Sequence, residues 1–161
     1  MPSKKCDNTS VGIITFVDGA LLLIDRAKPP FGLAAPAGHV DDHGNPDDSQ
    51  ERRFGAAARE ELQEETGLIV TKLMLIGKGV KENPCRREGG SWHYWQIYLA
   101  ETEGEIRPSE EETKGYRLFT KEETKQLLAG GTFEMAHGEV SLEPVWQDWF
   151  MELKILNWFR P

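Results

Sequence analysis

Cysteine is scarce in this chain, with Cys6 and Cys85 as the only two. Two are too few for a disulfide scaffold, and their separation fits no short metal-binding motif, so both are read as free thiols. No apolar run approaches the roughly 20 residues of a membrane span, so no membrane association is expected. The start, Met-Pro-Ser-Lys-Lys-Cys-Asp-Asn, is basic but has no apolar stretch after it. That argues against a signal peptide and for the cytoplasm. Basic residues are also in short supply, 19 against 27 acidic, for a net charge of −8. Broad nucleic-acid binding needs lysine and arginine to displace counterions, so that class is set aside. What remains is a single domain over residues 1–161, with a polar, flexible arm over 1–9. At 39% hydrophobic and 29% charged residues it has the balance of an ordinary globular domain.

The acid is concentrated in one place. Between Asp41 and Glu65 there are nine acidic side chains and three basic ones. Within that region Gly55-Ala56-Ala57-Ala58-Arg59-Glu60-Glu61-Leu62-Gln63-Glu64-Glu65-Thr66 consists almost wholly of strong helix formers, and Gly67 suits a left-handed C-terminal cap. At roughly 100° per residue, Glu61, Glu64 and Glu65 share one helix face. Like charges at these spacings destabilise an exposed helix by a few tenths of a kcal/mol per pair. Either the face is merely solvated, or a hard cation such as Mg²⁺ or Mn²⁺ sits there, sharing its coordination with water and phosphate oxygens.

The run Glu61-Leu62-Gln63-Glu64-Glu65-Thr66-Gly67-Leu68 resembles the end of the signature of the Nudix (MutT-like) hydrolases. Upstream, Leu33-Ala34-Ala35-Pro36-Ala37-Gly38-His39-Val40-Asp41 is similar to that signature's lead-in. The resemblance implies an α/β fold, a Nudix-like mixed β-sheet sandwiched between α-helices. It also implies that Glu61, Glu64 and Glu65, with the carbonyl of Gly38, are ligands of Mg²⁺ (or Mn²⁺). Glu61, Glu64 or Glu112 would then take a proton from the attacking water. Glu112 matches by spacing a glutamate of the family's later Glu-rich loop. The chain departs from the pattern at Glu60, which occupies the position of the family's arginine, a residue that steadies a metal-binding glutamate. Arg59 lies one residue early. The segment from Asp42 to Phe54 is longer than the family's usual loop, and the acidic loop from Asp41 to Asp48 is expected to be mobile.

In chain order, Val11–Val17 and Ala20–Ile24 read as strands joined by Asp18-Gly19, a type I′ hairpin signal. Both are apolar enough to be covered on two faces. Arg26 and Lys28 follow in a Pro-containing loop, where Arg26 is a candidate phosphate contact. His39 is read as a structural histidine rather than a ligand. Residues 68–77 read as a strand, 78–90 as a polar connection and 91–100 as another strand. On the latter Trp92, Tyr94, Gln96 and Tyr98 alternate with His93, Trp95, Ile97 and Leu99. The aromatics there read mainly as core, with Trp92 and Tyr94 as candidates for stacking on a nucleobase. Thr120 starts a helix ending near Gly130. A C-terminal helix over 142–158, with Ser141 as its cap, places Val145, Trp146, Trp149, Phe150, Leu153 and Leu156 on one stripe, packed on the sheet or against a second copy in a homodimer.

The function implied by the resemblance is hydrolysis of the diphosphate bond in a nucleoside diphosphate linked to another moiety. Pro84, sixteen residues after Leu68, resembles the ADP-ribose pyrophosphatase branch and points to ADP-ribose or another ADP-sugar. Two alternatives stand beside it: a MutT-like nucleoside triphosphate pyrophosphohydrolase, and a non-catalytic ligand-binding module that keeps the fold.

Overall fold

The structure is a computed structural model describing residues 4–160. Residues 1–3 of the expected arm lie outside the described residues. β1 (Thr9–Val17) and β2 (Ala20–Arg26) form the expected hairpin. Asp18 and Gly19 both take positive φ, 52° and 81°, as a type I′ turn requires. The short β3 (Leu33–Ala34) pairs with β2, and β4 (Ala37–Gly38) pairs antiparallel with β1. β5 (Ile69–Lys81) is an edge strand antiparallel to β6 (His93–Glu103), which runs parallel to β1. β7 (Thr113–Phe119) pairs antiparallel with β2, and β8 (Thr132–Met135) with β9 (Gly138–Ser141) makes a separate two-stranded ribbon.

Strand residues alternate between two buried layers, so helices cover both faces. Val11, Ile13, Leu22 and Tyr98 pack on Phe54, Ala57, Ala58 and Leu62 of α1 (Gln50–Thr66). On the opposite face Ile14, Leu21, Leu23, Trp95 and Ile97 meet Leu127 of α2 (Lys121–Leu128) and Trp146, Trp149 and Phe150 of α3 (Pro144–Glu152). Gly12 lies under Trp146; a Cβ there would fall 2.2 Å from the indole, so only glycine admits this crossing. No helix among the described residues is long and apolar enough to cross a membrane.

Three local expectations differ from what is observed. α1 begins at Gln50, capped by Ser49, whose side chain accepts from the Arg52 N–H. The acidic loop is therefore shorter than a reading to Phe54 implied, and a backbone bond from His43 N–H to Val40 C=O ties it down. The C-terminal helix is not continuous over 142–158. Pro144 opens α3 after Glu143, and Lys154 at φ 52° turns the chain into a short 3-10 turn, Ile155–Trp158. The turn folds Ile155 back into the same core as α3, whose Trp146 and Trp149 are fully buried. Thus the apolar stripe packs on its own sheet. The start of the chain is anchored from Lys4, which bridges Asp41 and Asp42, and Cys6 is buried.

Candidate active site

Gly67 ends α1 in the left-handed conformation (φ 78°), its N–H donating to Gln63 C=O, which stops the helix just after the glutamate pair. Glu61, Glu64 and Glu65 then face a cleft of about 450 Å³. Gly38 of β4, Arg26, Lys28, Glu112 and Glu143 line the same cleft. Gly38 comes so near that a Cβ on it would lie 2.1 Å from the Glu61 carboxyl carbon. The backbone of the lead-in and the helix glutamates thereby share one space that a side chain would fill.

Burial sets the electrostatics. Glu65 is 4% exposed and accepts a hydrogen bond from the Ala37 N–H at 3.2 Å. Desolvation, and then the neighbouring Glu61, push its carboxyl well above the ordinary range. Glu61 is raised too, chiefly by burial, against an opposing pull from His43. Buried carboxylates so close together are unfavourable without a cation. The donor set is hard oxygen, carboxylates lying against the Gly38 backbone, which fits Mg²⁺ or Mn²⁺ better than a softer metal.

His43 supplies what the arginine position lacks. Its Nδ1 contacts Glu60 and its Nε2 lies 2.6 Å from Glu61 Oε1. Two carboxylate partners ask both ring nitrogens to donate, which only the imidazolium can do. The hydrogen bond with Glu61 leads the effects that raise its pKa to about 9. His43 and one oxygen each of Glu61 and Glu64 also lie within 4.8 Å of one another, close enough to share a metal. A hard cation leaves the imidazolium as the clamp instead, because it binds oxygen in preference to nitrogen. Glu60 at the arginine position is thus half of a Glu60–His43–Glu61 bridge. Sequence reading missed His43 because its partners lie seventeen and eighteen residues away; the one hint was an unexplained fourth glutamate.

Of the sequence-derived candidates, Gly38, Glu61, Glu64, Glu65, Glu112 and Arg26 come together at the cleft, with Glu112 held by Lys28 at 3.2 Å. Trp92 and Tyr94 do not line it. Trp92 is 44% exposed and precedes β6, and Tyr94 faces α1, edge-on to Phe54. The residues of that strand that do reach the cleft are His93 and Trp95, on its opposite face. Glu143 is a second missed residue: it is buried, its Oε2 has no hydrogen-bond partner, and burial raises its pKa to about 7 against the pull of Arg26, 3.9 Å away. Its place before Pro144 gave no chemical signal.

A model of the NUDIX domain matches residues 7–137. No curated protein matches the chain. Among solved structures, a MutT protein from Methanosarcina mazei is similar over 96% of this chain and 98% of its own, at 19% identity and a TM-score of 0.66. A NUDIX hydrolase from Nitrosomonas europaea is similar over 98% and 93%, at 18% identity and 0.63. The NUDIX domain of Shewanella oneidensis NrtR, in complex with ADP ribose, is similar over 95% and 88%, at 15% identity and 0.61. At such identities the structural likeness speaks to the fold, while the family match covers most of the chain. With the glutamate helix, the lead-in glycine and the mixed sheet between helices in place, the chain belongs to the Nudix family, whose hydrolases generally use divalent metal and act on nucleoside diphosphate-linked substrates.

Proposed function

We propose that the protein hydrolyses the diphosphate bond of a small nucleoside diphosphate derivative, ADP-ribose or another ADP-sugar, with Mg²⁺ or Mn²⁺, in the cytoplasm. The observation that carries the proposal is the convergence of buried Glu65, half-buried Glu61 and exposed Glu64 with Gly38 in one cleft that also holds cationic side chains. Glu61, Glu64, Glu65 and the Gly38 carbonyl would hold the metal, which when bound supplies neutralisation of phosphate charge and a lowered water pKa. His43 fixes the Glu61 carboxylate in one orientation through its short Nε2 contact. Arg26 and Lys28, which line the same cleft, offer positive charge to the phosphates, and Arg26 is itself positioned by donating from Nε to Pro30 C=O at 2.7 Å. Proton acceptance falls to a carboxylate: Glu61, Glu64, Glu112 or the newly found Glu143.

Support for an ADP-sugar comes from Pro84, which lies on the cleft wall, and from the fold shared with a domain seen bound to ADP ribose. The competing substrate class is a nucleoside triphosphate. Turnover of ADP-ribose, ADP-sugars and nucleoside triphosphates, compared with and without Mg²⁺, separates the two. Absence of turnover on every substrate would favour a ligand-binding module instead.

A further inference from the structure

Four side chains that the proposed chemistry does not use meet beside the cleft. One ligand atom each from Cys6, His39, Cys85 and His93 lies within 4.8 Å of every other. They come from four separate segments: the start of the chain, the residue after β4, the β5–β6 connection and the first residue of β6. We propose that these residues form a closed, four-coordinate structural Zn²⁺ site, separate in ligands and in role from the glutamate cluster.

Two thiolates and two neutral imidazoles are a donor set typical of structural zinc, and a tetrahedral ion with bonds of about 2.0–2.3 Å needs ligand separations within about 4 Å. The cluster is close to that: Cys6 Sγ and His93 Nε2 are 3.4 Å apart. The surroundings are those of a built site. His93 Nδ1 is 3.0 Å from the Asn83 carbonyl. Donation there places the proton on Nδ1 and leaves the Nε2 lone pair facing the sulfur. Asn8 N–H lies 3.3 Å from Cys6 Sγ, a donor that stabilises a thiolate. His39 Nε2 is buried with no hydrogen-bond partner, an unmet demand that the rest of the fold leaves open. Gly90 makes room for the second sulfur: a Cβ there would lie 2.1 Å from Cys85 Sγ. The turn is closed by Cys85 N–H to Gly90 C=O at 2.7 Å, and Cys6 N–H to Glu88 C=O at 2.8 Å ties the first cysteine to the same loop. Two thiolate charges cancel the charge of one Zn²⁺, so the filled site is neutral where an ionised thiol pair would not be. The site would staple the start of the chain and the 82–90 loop to β4, and so hold Gly38, next to His39, in place for the glutamates.

The test is metal analysis of the purified full chain, prepared with reductant, without chelator and in excess Mg²⁺. The expected result is about one zinc per chain, retained in Glu64→Gln and reduced to below about 0.1 in Cys6→Ser/Cys85→Ser. Replacing zinc with Co²⁺ in the wild-type chain should give intense tetrahedral d–d bands and a thiolate-to-cobalt charge-transfer band, which depends on no variant. His39→Asn, which keeps both thiols, should shift those bands. Zinc-stripped protein with Mg²⁺ restored should melt lower by about 10 °C. The proposal is overturned by reduced wild-type protein that takes up neither zinc nor cobalt with a thiolate band, by undiminished zinc in a folded double variant, or by zinc lost in Glu64→Gln. Thiol titration that finds Cys6 and Cys85 joined as a disulfide, with no metal uptake after reduction, overturns it equally.

Discussion

His43→Gln tests the bridge that replaces the family's arginine. The His43 side chain is 5% exposed, and a pKa raised from 6.5 to about 9 corresponds to about 3 kcal/mol of stabilisation of the charged form in the folded state. The folded pKa lies above the unfolded one, so this stability is fully present below about pH 6.5 and disappears as pH rises through about 9. Glu61, left without its partner, can take up a proton, so about 3 kcal/mol is an upper bound. Urea unfolding of wild type and His43→Gln, in chelator from pH 5.5 to 9.5, should show a deficit approaching this bound at the acid end and shrinking to nothing at the alkaline end. In turnover assays the variant should need about 10- to 100-fold more Mg²⁺ for half-maximal rate, the usual effect of removing a group that orients a metal ligand. Adding Glu60→Arg to His43→Gln restores the family pattern and should recover much of that loss. A deficit that does not vary with pH, or unchanged Mg²⁺ dependence, would refute the reasoning.

Gly38→Ala should keep the fold, since Gly38 needs no unusual φ, yet lower kcat/KM by about 100-fold as the new methyl displaces the Glu61 carboxylate. Glu143→Gln should stabilise the protein by up to about 3 kcal/mol above pH 7 and leave it unchanged below pH 4.5, because burial raises the folded pKa to about 7 and charging the carboxyl costs stability as pH rises. Denaturation at several pH values checks the sign. The same variant should abolish an acid limb of kcat/KM near pH 7 if Glu143 is the proton acceptor, whereas if Glu112 is, Glu112→Gln should lower kcat far more than Glu143→Gln does. Arg26→Ala should raise KM at least tenfold while Trp92→Ala leaves it unchanged, since only Arg26 lines the cleft.

What was legible in the chain was what local spacing encodes. Three glutamates on one helix face, Gly67 at a left-handed cap, Asp18-Gly19 between two apolar runs and Thr120 three residues before Glu123 each carry their structural consequence within a few positions, and each appears where expected. Long-range pairings were not legible. His43 meets Glu60 and Glu61 only because the acidic loop folds back on α1, and its turn residues predicted mobility rather than a clamp. Cys6 and Cys85 lie far apart in the chain and fit no spacing motif; the parallel pairing of β1 with β6 brings Cys6, just before β1, close to His93. The break at Lys154 was hidden because a lysine, not a glycine, takes the left-handed conformation there. Trp92 was assigned by alternation to a strand that begins one residue later.

The central claim, metal-dependent cleavage of a nucleotide diphosphate bond by the α1 glutamates, is tested most directly by phosphate release after a coupling phosphatase. The panel is ADP-ribose, other ADP-sugars, dinucleotides and nucleoside triphosphates, with Mg²⁺ or Mn²⁺, run beside Glu64→Gln. The account predicts that one substrate class turns over, that chelator abolishes turnover, and that Glu64→Gln lowers kcat by about 100-fold or more while remaining folded. Turnover that survives both chelator and Glu64→Gln, or its absence on every substrate with either metal, would contradict it.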